Sequence, residues 1–395
     1  MGKIFVTGMG VISAIGNSVA ENRMALAAGK CGISQLELID SKFKQQLPCG
    51  EIKITTEDLK TKLQANTKGI TRTTLLALHA FGEAIKDAEL TEEILSAPGT
   101  ALISASTVGG MCLTEELYQD AQKTAGGSEY LSSYDCSSIA MYLQERYQMK
   151  GHINTINTAC SSSANAIMYG ARLINSGRAN RAIVGGVDSL SKFTINGFNA
   201  LHILSAATCT PFDEDRKGLN LGEGAAFLVL EKQEDIGNKK VYAELTGYCN
   251  SNDAFHPSSL SAEGDGPFLA MKGALQQAGL QPGNIGFINA HGTGTQNNDE
   301  VESKAMLRLF NTPPPFASTK SNVGHTLGAA GAIEAVYSIL NLQHQEGYPA
   351  LNYKKPISST GLVPADSYKK MQLEHTMSNS FGFGGNCTSL IFSKA

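Results

Sequence analysis

Short apolar runs rich in β-branched residues alternate along this chain with longer segments of helical period, and that alternation constrains it to a layered α/β architecture. Strands are expected near residues 3–7, 100–106, 153–157, 181–187 and 225–231, then 241–249, 285–289 and 387–393. Helices are expected near 72–88, 161–176, 265–279, 298–310 and 328–345. The polar stretch 232–240 divides the chain into 1–240 and 241–395, portions of similar element order without a repeat at the level of sequence. The opening Lys3-Ile4-Phe5-Val6 reads as a buried strand running into a glycine loop. Residues 108–150, mixed in Gly, Ser and Tyr, read as loops near a site.

Composition narrows what such a protein does. Charged residues make up 17% of the chain and 41 of its 395 residues are glycine, against usual shares of about 25% and about 7%. Thirty-two Lys and Arg against 36 Asp and Glu leave a net charge of −4, too small and of the wrong sign for a general nucleic-acid binder. Eight cysteines without a C-x-x-C pair read as reduced thiols. No apolar run approaches the ~18 residues of a membrane span. Thr7, Gly8 and Gly10 interrupt what would be a signal core, and Val6 stands where myristoylation needs Ser or Thr. A soluble, untargeted, cytoplasmic protein is expected.

The sharpest chemical signal is Asn157-Thr158-Ala159-Cys160-Ser161-Ser162-Ser163, where a strand ends and a small-residue helix begins. Cys160 is thereby placed at a helix N-terminus, where free N–H groups and the dipole favour thiolate, the form that attacks a carbonyl carbon. A buried structural cysteine is the competing reading. A nucleophilic cysteine needs a partner to orient it or handle its proton, and two of the eight histidines stand out. His291 follows the strand at 285–289, at the end where α/β sheets meet ligand. His325 precedes the small-residue stretch Gly328-Ala329-Ala330-Gly331-Ala332. Each alone is more simply a core or loop histidine; with Cys160 they form a set. Zinc also uses such sets, but H-E-x-x-H and paired Cys or His spacings are absent, so no metal is expected. Gly8-Met9-Gly10-Val11-Ile12-Ser13 fails as a dinucleotide fingerprint because Ser13 replaces the third glycine.

Four motifs occur in order: Thr158-Ala159-Cys160-Ser161-Ser162, His291-Gly292-Thr293-Gly294-Thr295, Lys320-Ser321-Asn322-Val323-Gly324-His325 and Asn379-Ser380-Phe381-Gly382-Phe383-Gly384-Gly385. With Val6-Thr7-Gly8-Met9-Gly10 at the start and Gly218-Leu219-Asn220-Leu221-Gly222-Glu223-Gly224 in the middle, the chain resembles the elongating β-ketoacyl-acyl-carrier-protein synthases of the thiolase superfamily over nearly its whole length. The resemblance implies a thiolase-like α/β fold, with two duplicated α/β/α halves packed as a five-layered αβαβα core. Residues 1–240 would carry the nucleophile and 241–395 both histidines. It also implies a homodimer, or a heterodimer with a paralogous ketosynthase subunit, acting in fatty acid or specialised polyene or polyketide synthesis. No tightly bound cofactor is implied, because substrates arrive on the phosphopantetheine of an acyl carrier protein.

Carried over by position, the resemblance makes Cys160 the acyl-accepting nucleophile and points His291 and His325 at the malonyl thioester. It makes Lys320 the lysine that supports the second histidine, His325. The backbone N–H groups of Cys160 and Phe383 would form an oxyanion hole, Asp299 and Glu302 would support the site, and Thr293 and Thr295 would bind pantetheine. Val108 and Phe198 would line the acyl pocket with Phe383 as its gate, and Lys62, Lys68 and Arg72 would dock the carrier protein. The chain departs from the family at Gly385-Asn386-Cys387, where Gly-Thr-Asn is usual, and at His202, where an arginine is common. Two further classes stand beside this reading. A noncatalytic chain-length partner subunit normally lacks the cysteine, and a coenzyme A-dependent thiolase wants a second cysteine near the C-terminus, the neighbourhood of Cys387.

Overall fold

In the computed structural model, which describes residues 2–395, ten strands join in one mixed sheet. They are β1 (Ile4–Ser13), β2 (Thr100–Ala105), β3 (Ile153–Ile156), β4 (Arg181–Asp188), β5 (Gly224–Lys232), β6 (Ala243–Asn252), β7 (Phe287–Asn289), β8 (Phe316–Ala317), β9 (His375–Phe381) and β10 (Asn386–Ser393). Their order across the sheet is β8-β7-β9-β10-β6-β1-β5-β4-β2-β3. The first five strands in sequence fill one side and the last five the other, and the sides meet where β1 pairs antiparallel with β6 at Phe5–Glu244 and Val6–Ala243. Outward from that junction both sides run first, fifth, fourth, second, third. In both, the two inner pairings are antiparallel and the two outer ones parallel. The similar element order read from the sequence therefore corresponds to a repeated strand order.

Helices cover both faces: α1 (Arg72–Asp87), α2 (Ser162–Asn175), α3 (Lys192–Ala200), α4 (Asp265–Ala278), α5 (Gln296–Phe310) and α6 (Ala330–His344). Strands buried on both faces read as unbroken apolar runs, and β5 is an example. Its Ala226, Leu228 and Leu230 enter the core shared with α2 and α6, while Ala225, Phe227 and Val229 enter the core under α1, as a side-chain period of two requires. Truncating a fully buried member such as Leu228 to Ala would cost about 2–5 kcal/mol. The helices α2 and α6 carry the densest burial, and Ser163 ties them by accepting the Ala332 N–H at 2.9 Å. Among the described residues no helix is long and apolar enough to cross a membrane.

Three expectations needed revision. The glycines after Val6 do not open a loop: β1 runs to Ser13, and Gly10 is required because a Cβ there would lie 2.0 Å from the Ala80 carbonyl oxygen of α1. Residues 108–150 are not all loop, since helices span Thr114–Lys123 and Ser138–Arg146. The strand β9 was not anticipated because Thr376, Ser378, Asn379 and Ser380 make it polar although it is buried between β7 and β10.

Candidate active site

Strand β3 ends at Ile156, and the chain turns sharply into α2 through Ala159, whose φ of 53° is left-handed. A non-glycine residue there stores strain of order 1–3 kcal/mol. The turn is fastened by the Thr158 N–H donating to Ser162 Oγ at 2.9 Å, and it delivers Cys160 one residue before the Ser161 cap. Against the larger effect of burial, the backbone N–H groups of Phe383 and of Cys160 itself pull the Cys160 thiol down. Phe383 gets there because Gly382 packs against the turn: a Cβ at Gly382 would lie 2.8 Å from the Thr158 carbonyl and 3.2 Å from the Cys160 nitrogen.

Two loops from the other side of the sheet bring the histidines. His291 lies just beyond β7, in a loop fastened to two buried carboxylates of α5. Glu302 accepts the His291 N–H at 2.9 Å and the Gly292 N–H at 2.8 Å, and Asp299 accepts the Thr293 N–H at 2.9 Å and the Gly294 N–H at 3.0 Å. Burial pushes the Glu302 carboxyl up to about 7 against the pull of these amides. His325 precedes α6, and its main chain bridges to Leu221, with its N–H donating to the Asn220 carbonyl at 2.7 Å. The reactive atoms of Cys160, His291 and His325 all lie within 4.8 Å of one another. The two rings meet nearly perpendicular, with centroids 5.5 Å apart.

Hydrogen bonding fixes what the imidazoles offer. Lys320 Nζ donates to His291 Nδ1 at 3.2 Å, to the His291 carbonyl at 2.6 Å and to Glu334, which uses its three ammonium hydrogens. The Leu327 N–H donates to His325 Nδ1 at 3.1 Å. With both Nδ1 atoms accepting, each neutral ring carries its proton on Nε2. Burial, joined by the Lys320 charge, holds both imidazoles well below the usual histidine range, so they are neutral at pH 7. Two Nε2–H donors of this kind can stabilise a developing oxyanion. Such rings present no free Nε2 lone pair to a cation, so the geometry of this Cys/His/His set suits donation rather than metal ligation.

A cavity of about 380 Å³ opens onto this centre. Cys160, His291 and His325 line it together with Thr293, Thr295, Phe198 and Phe383. The hydroxyls of Thr293 and Thr295 are 2.8 Å apart, and the rings of Phe198 and Phe383 stack at 6.1 Å with 15° between planes. His202 also borders the cavity.

Several sequence-based assignments are corrected. Lys320 supports the first histidine, His291, whereas His325 is held by the Leu327 amide. Cys160 is not thiolate-favouring at rest: burial pushes its thiol up, more than the Phe383 amide and the Lys320 charge pull it down. Arg72 is not free for docking, because its guanidinium is buried in a two-point pair with Glu223, at 2.6 and 3.0 Å, and also donates to the Ile52 and Ile54 carbonyls. Lys62 and Lys68 are exposed, Lys68 lying 3.7 Å from Glu129. Val108 sits in an apolar cluster against which Phe198 packs, outside the cavity formed within this one chain; its expected place is at the far end of a pocket shared across a dimer interface. Cys387 is buried in a separate cluster and does not reach the cavity. Sequence reasoning missed Glu334, a lone acid within the apolar run of α6, and the asparagines that gather behind Ser161.

Comparison with known proteins agrees over the full length. The family description "Beta-ketoacyl synthase, N-terminal domain" matches residues 1–236, and "Beta-ketoacyl synthase, C-terminal domain" matches residues 242–354. A 3-oxoacyl-(acyl-carrier-protein) synthase 2 of Coxiella burnetii is 33% identical over 414 residues, spanning 99% of this chain and 98% of its own. The ishigamide ketosynthase/chain length factor superposes with a TM-score of 0.92 at 28% identity, covering 100% of this chain and 99% of that one. A ketosynthase in complex with its chain length factor from Xenorhabdus doucetiae gives 0.88 at 30% identity, covering 100% and 98%.

Proposed function

The chain belongs to the β-ketoacyl synthase family and is an acyltransferase; from that premise we propose that it extends an acyl group by decarboxylative Claisen condensation with malonyl-carrier protein. The observation that carries this reading is the meeting of one thiol with two backbone donors and two Nε2–H donors at the floor of one cavity.

In the first half-reaction Cys160 sulfur attacks the thioester carbon of an acyl group on carrier phosphopantetheine. Negative charge develops on the carbonyl oxygen beside the N–H groups of Cys160 and Phe383. Collapse breaks the old C–S bond, and the carrier thiol leaves with the proton that Cys160 gives up. In the second, the C–C bond to the malonyl carboxylate breaks, carbon dioxide leaves, and the electron pair becomes an enolate whose oxygen faces His291 and His325. Because charge grows there only as carbon dioxide departs, donors held in place beforehand lower the barrier more than they bind the ground state. The enolate carbon then attacks the acyl carbon on Cys160, and the released sulfur takes up a proton.

Thr293 and Thr295 hold the pantetheine arm, Phe198 and Phe383 flank the acyl entrance, and Lys62 and Lys68 meet an acidic carrier protein. We further assign residues 1–240 and 241–395 as duplicated halves stacked in five layers, with α2 and α6 as the central layer. The full-length neighbours that include ketosynthase and chain length factor subunits support a specialised polyketide or polyene setting and a paralogous partner. In such a pair Cys160 makes this chain the condensing subunit. The thiolase alternative is disfavoured, because Cys387 stands outside the cavity. Mixing the protein with acyl-carrier and malonyl-carrier substrates and detecting β-ketoacyl-carrier by mass tests the reading; product with coenzyme A substrates alone would contradict it.

A further inference from the structure

Behind Cys160 lies a polar network that supplies no reacting group to the two half-reactions. The Asn386 side-chain oxygen accepts three hydrogen bonds: from Ser161 Oγ at 2.7 Å, from Asn165 Nδ2 at 2.8 Å and from Asn250 Nδ2 at 2.8 Å. The donors come from both sides of the sheet, since Ser161 and Asn165 belong to the start of α2 and Asn250 to β6. Asn165 in turn accepts from Asn250 at 3.1 Å and from Thr388 Oγ1 at 2.9 Å, which closes the network. The main chain of Asn386 acts separately, because its carbonyl accepts the Gly382 N–H at 2.7 Å and so closes the turn that carries Phe383.

One residue thus ties the turn bearing one oxyanion donor, Phe383 N–H, to the residue that directly follows the other, Cys160 N–H. We propose that Asn386 is a positioning residue that sets the spacing of the two backbone donors of the acyl-transfer site, while the two histidines make their hydrogen bonds elsewhere, with Lys320, the Leu327 amide and Glu302. The inference rests on the proposed condensation. The donors belong to chain segments far apart in sequence, residues 160 and 383, and the Asn386 side-chain oxygen joins them through Ser161. A misplacement of about 1 Å in such a hole costs on the order of 10²-fold in rate.

Asn386→Leu removes the acceptor at similar volume, and Asn386→Thr restores a shorter one. Two half-reactions are read separately: acylation of Cys160 by an acyl-carrier substrate, followed by intact-protein mass, and carbon dioxide release from malonyl-carrier in a Cys160→Gln background. The expected result is that Asn386→Leu slows acylation about 10²-fold, leaves carbon dioxide release within twofold, and that Asn386→Thr recovers acylation to within about tenfold of the parent. Acylation unchanged in Asn386→Leu, or both half-reactions falling together in both variants, overturns the proposal. Failure of the parent enzyme to acylate at all would instead overturn the condensation reading, so the two are distinguished.

Discussion

The Lys320 ammonium donates to Nδ1 of His291 across 3.2 Å and so leaves the proton of that neutral ring on Nε2, in the cavity it lines with Cys160. Both Lys320 and its second partner, Glu334, are almost fully buried. Losing Lys320 alone therefore does two things: it frees the His291 tautomer and strands a buried carboxylate. Lys320→Met should slow malonyl decarboxylation about 10²-fold and lower stability by about 3–5 kcal/mol. The double variant Lys320→Met/Glu334→Gln removes the pair together, so its melting temperature should largely recover while decarboxylation stays slow. Recovery of both would make the lysine purely structural.

Burial pushes the Cys160 thiol up, so the thiolate fraction at neutral pH is small and rises with pH. Alkylation of Cys160 by iodoacetamide should accelerate about tenfold per pH unit from pH 6 past the ordinary thiol value near 8.5. A plateau below pH 7, measured by site-resolved mass spectrometry, would contradict the burial argument and restore the helix-terminus expectation.

Arg72 and Lys68 lie four residues apart and should behave oppositely. Arg72→Ala leaves Glu223 buried without its partner, and breaking such a pair costs about 3–5 kcal/mol. Lys68→Glu should leave the melting temperature unchanged while raising KM for carrier-bound acyl substrate and sparing small thioesters. Equal effects on both substrate types would remove Lys68 from the docking surface.

How much of this was legible in the sequence follows the physics of each signal. Glycine-flanked histidines and a cysteine at a strand-to-helix turn were readable because close backbone approach demands small residues there, as Gly382 illustrates. The strand β9 was not, because buried hydroxyls and amides carry no apolar period. Lys320's choice of His291 over His325 depends on how two loops meet in space, as does the convergence of Asn165, Asn250 and Asn386. Arg72 looked like a surface cation because its partner Glu223 is 151 residues away.

Val108 is buried in the apolar cluster against which Phe198 packs, and Phe198 lines the cavity that holds Cys160. Val108→Phe should shorten the longest accepted acyl group and leave short primers nearly unaffected, at an overpacking cost of about 1–3 kcal/mol. Chain-length profiling of the folded variant checks this, and an unchanged profile removes Val108 from substrate selection.

The central claim is a division of labour, in which the sulfur and its two amides carry acyl transfer and the two Nε2–H donors carry decarboxylation. Carbon dioxide release from malonyl-carrier protein, measured in Cys160→Gln with and without a histidine replaced, tests it most directly. Cys160→Gln alone should release carbon dioxide while forming no condensation product. Adding His291→Ala or His325→Ala should cut that release by about 10²- to 10³-fold, the loss expected for one oxyanion donor. Release that persists without the histidines, or vanishes with the cysteine alone, would contradict the account.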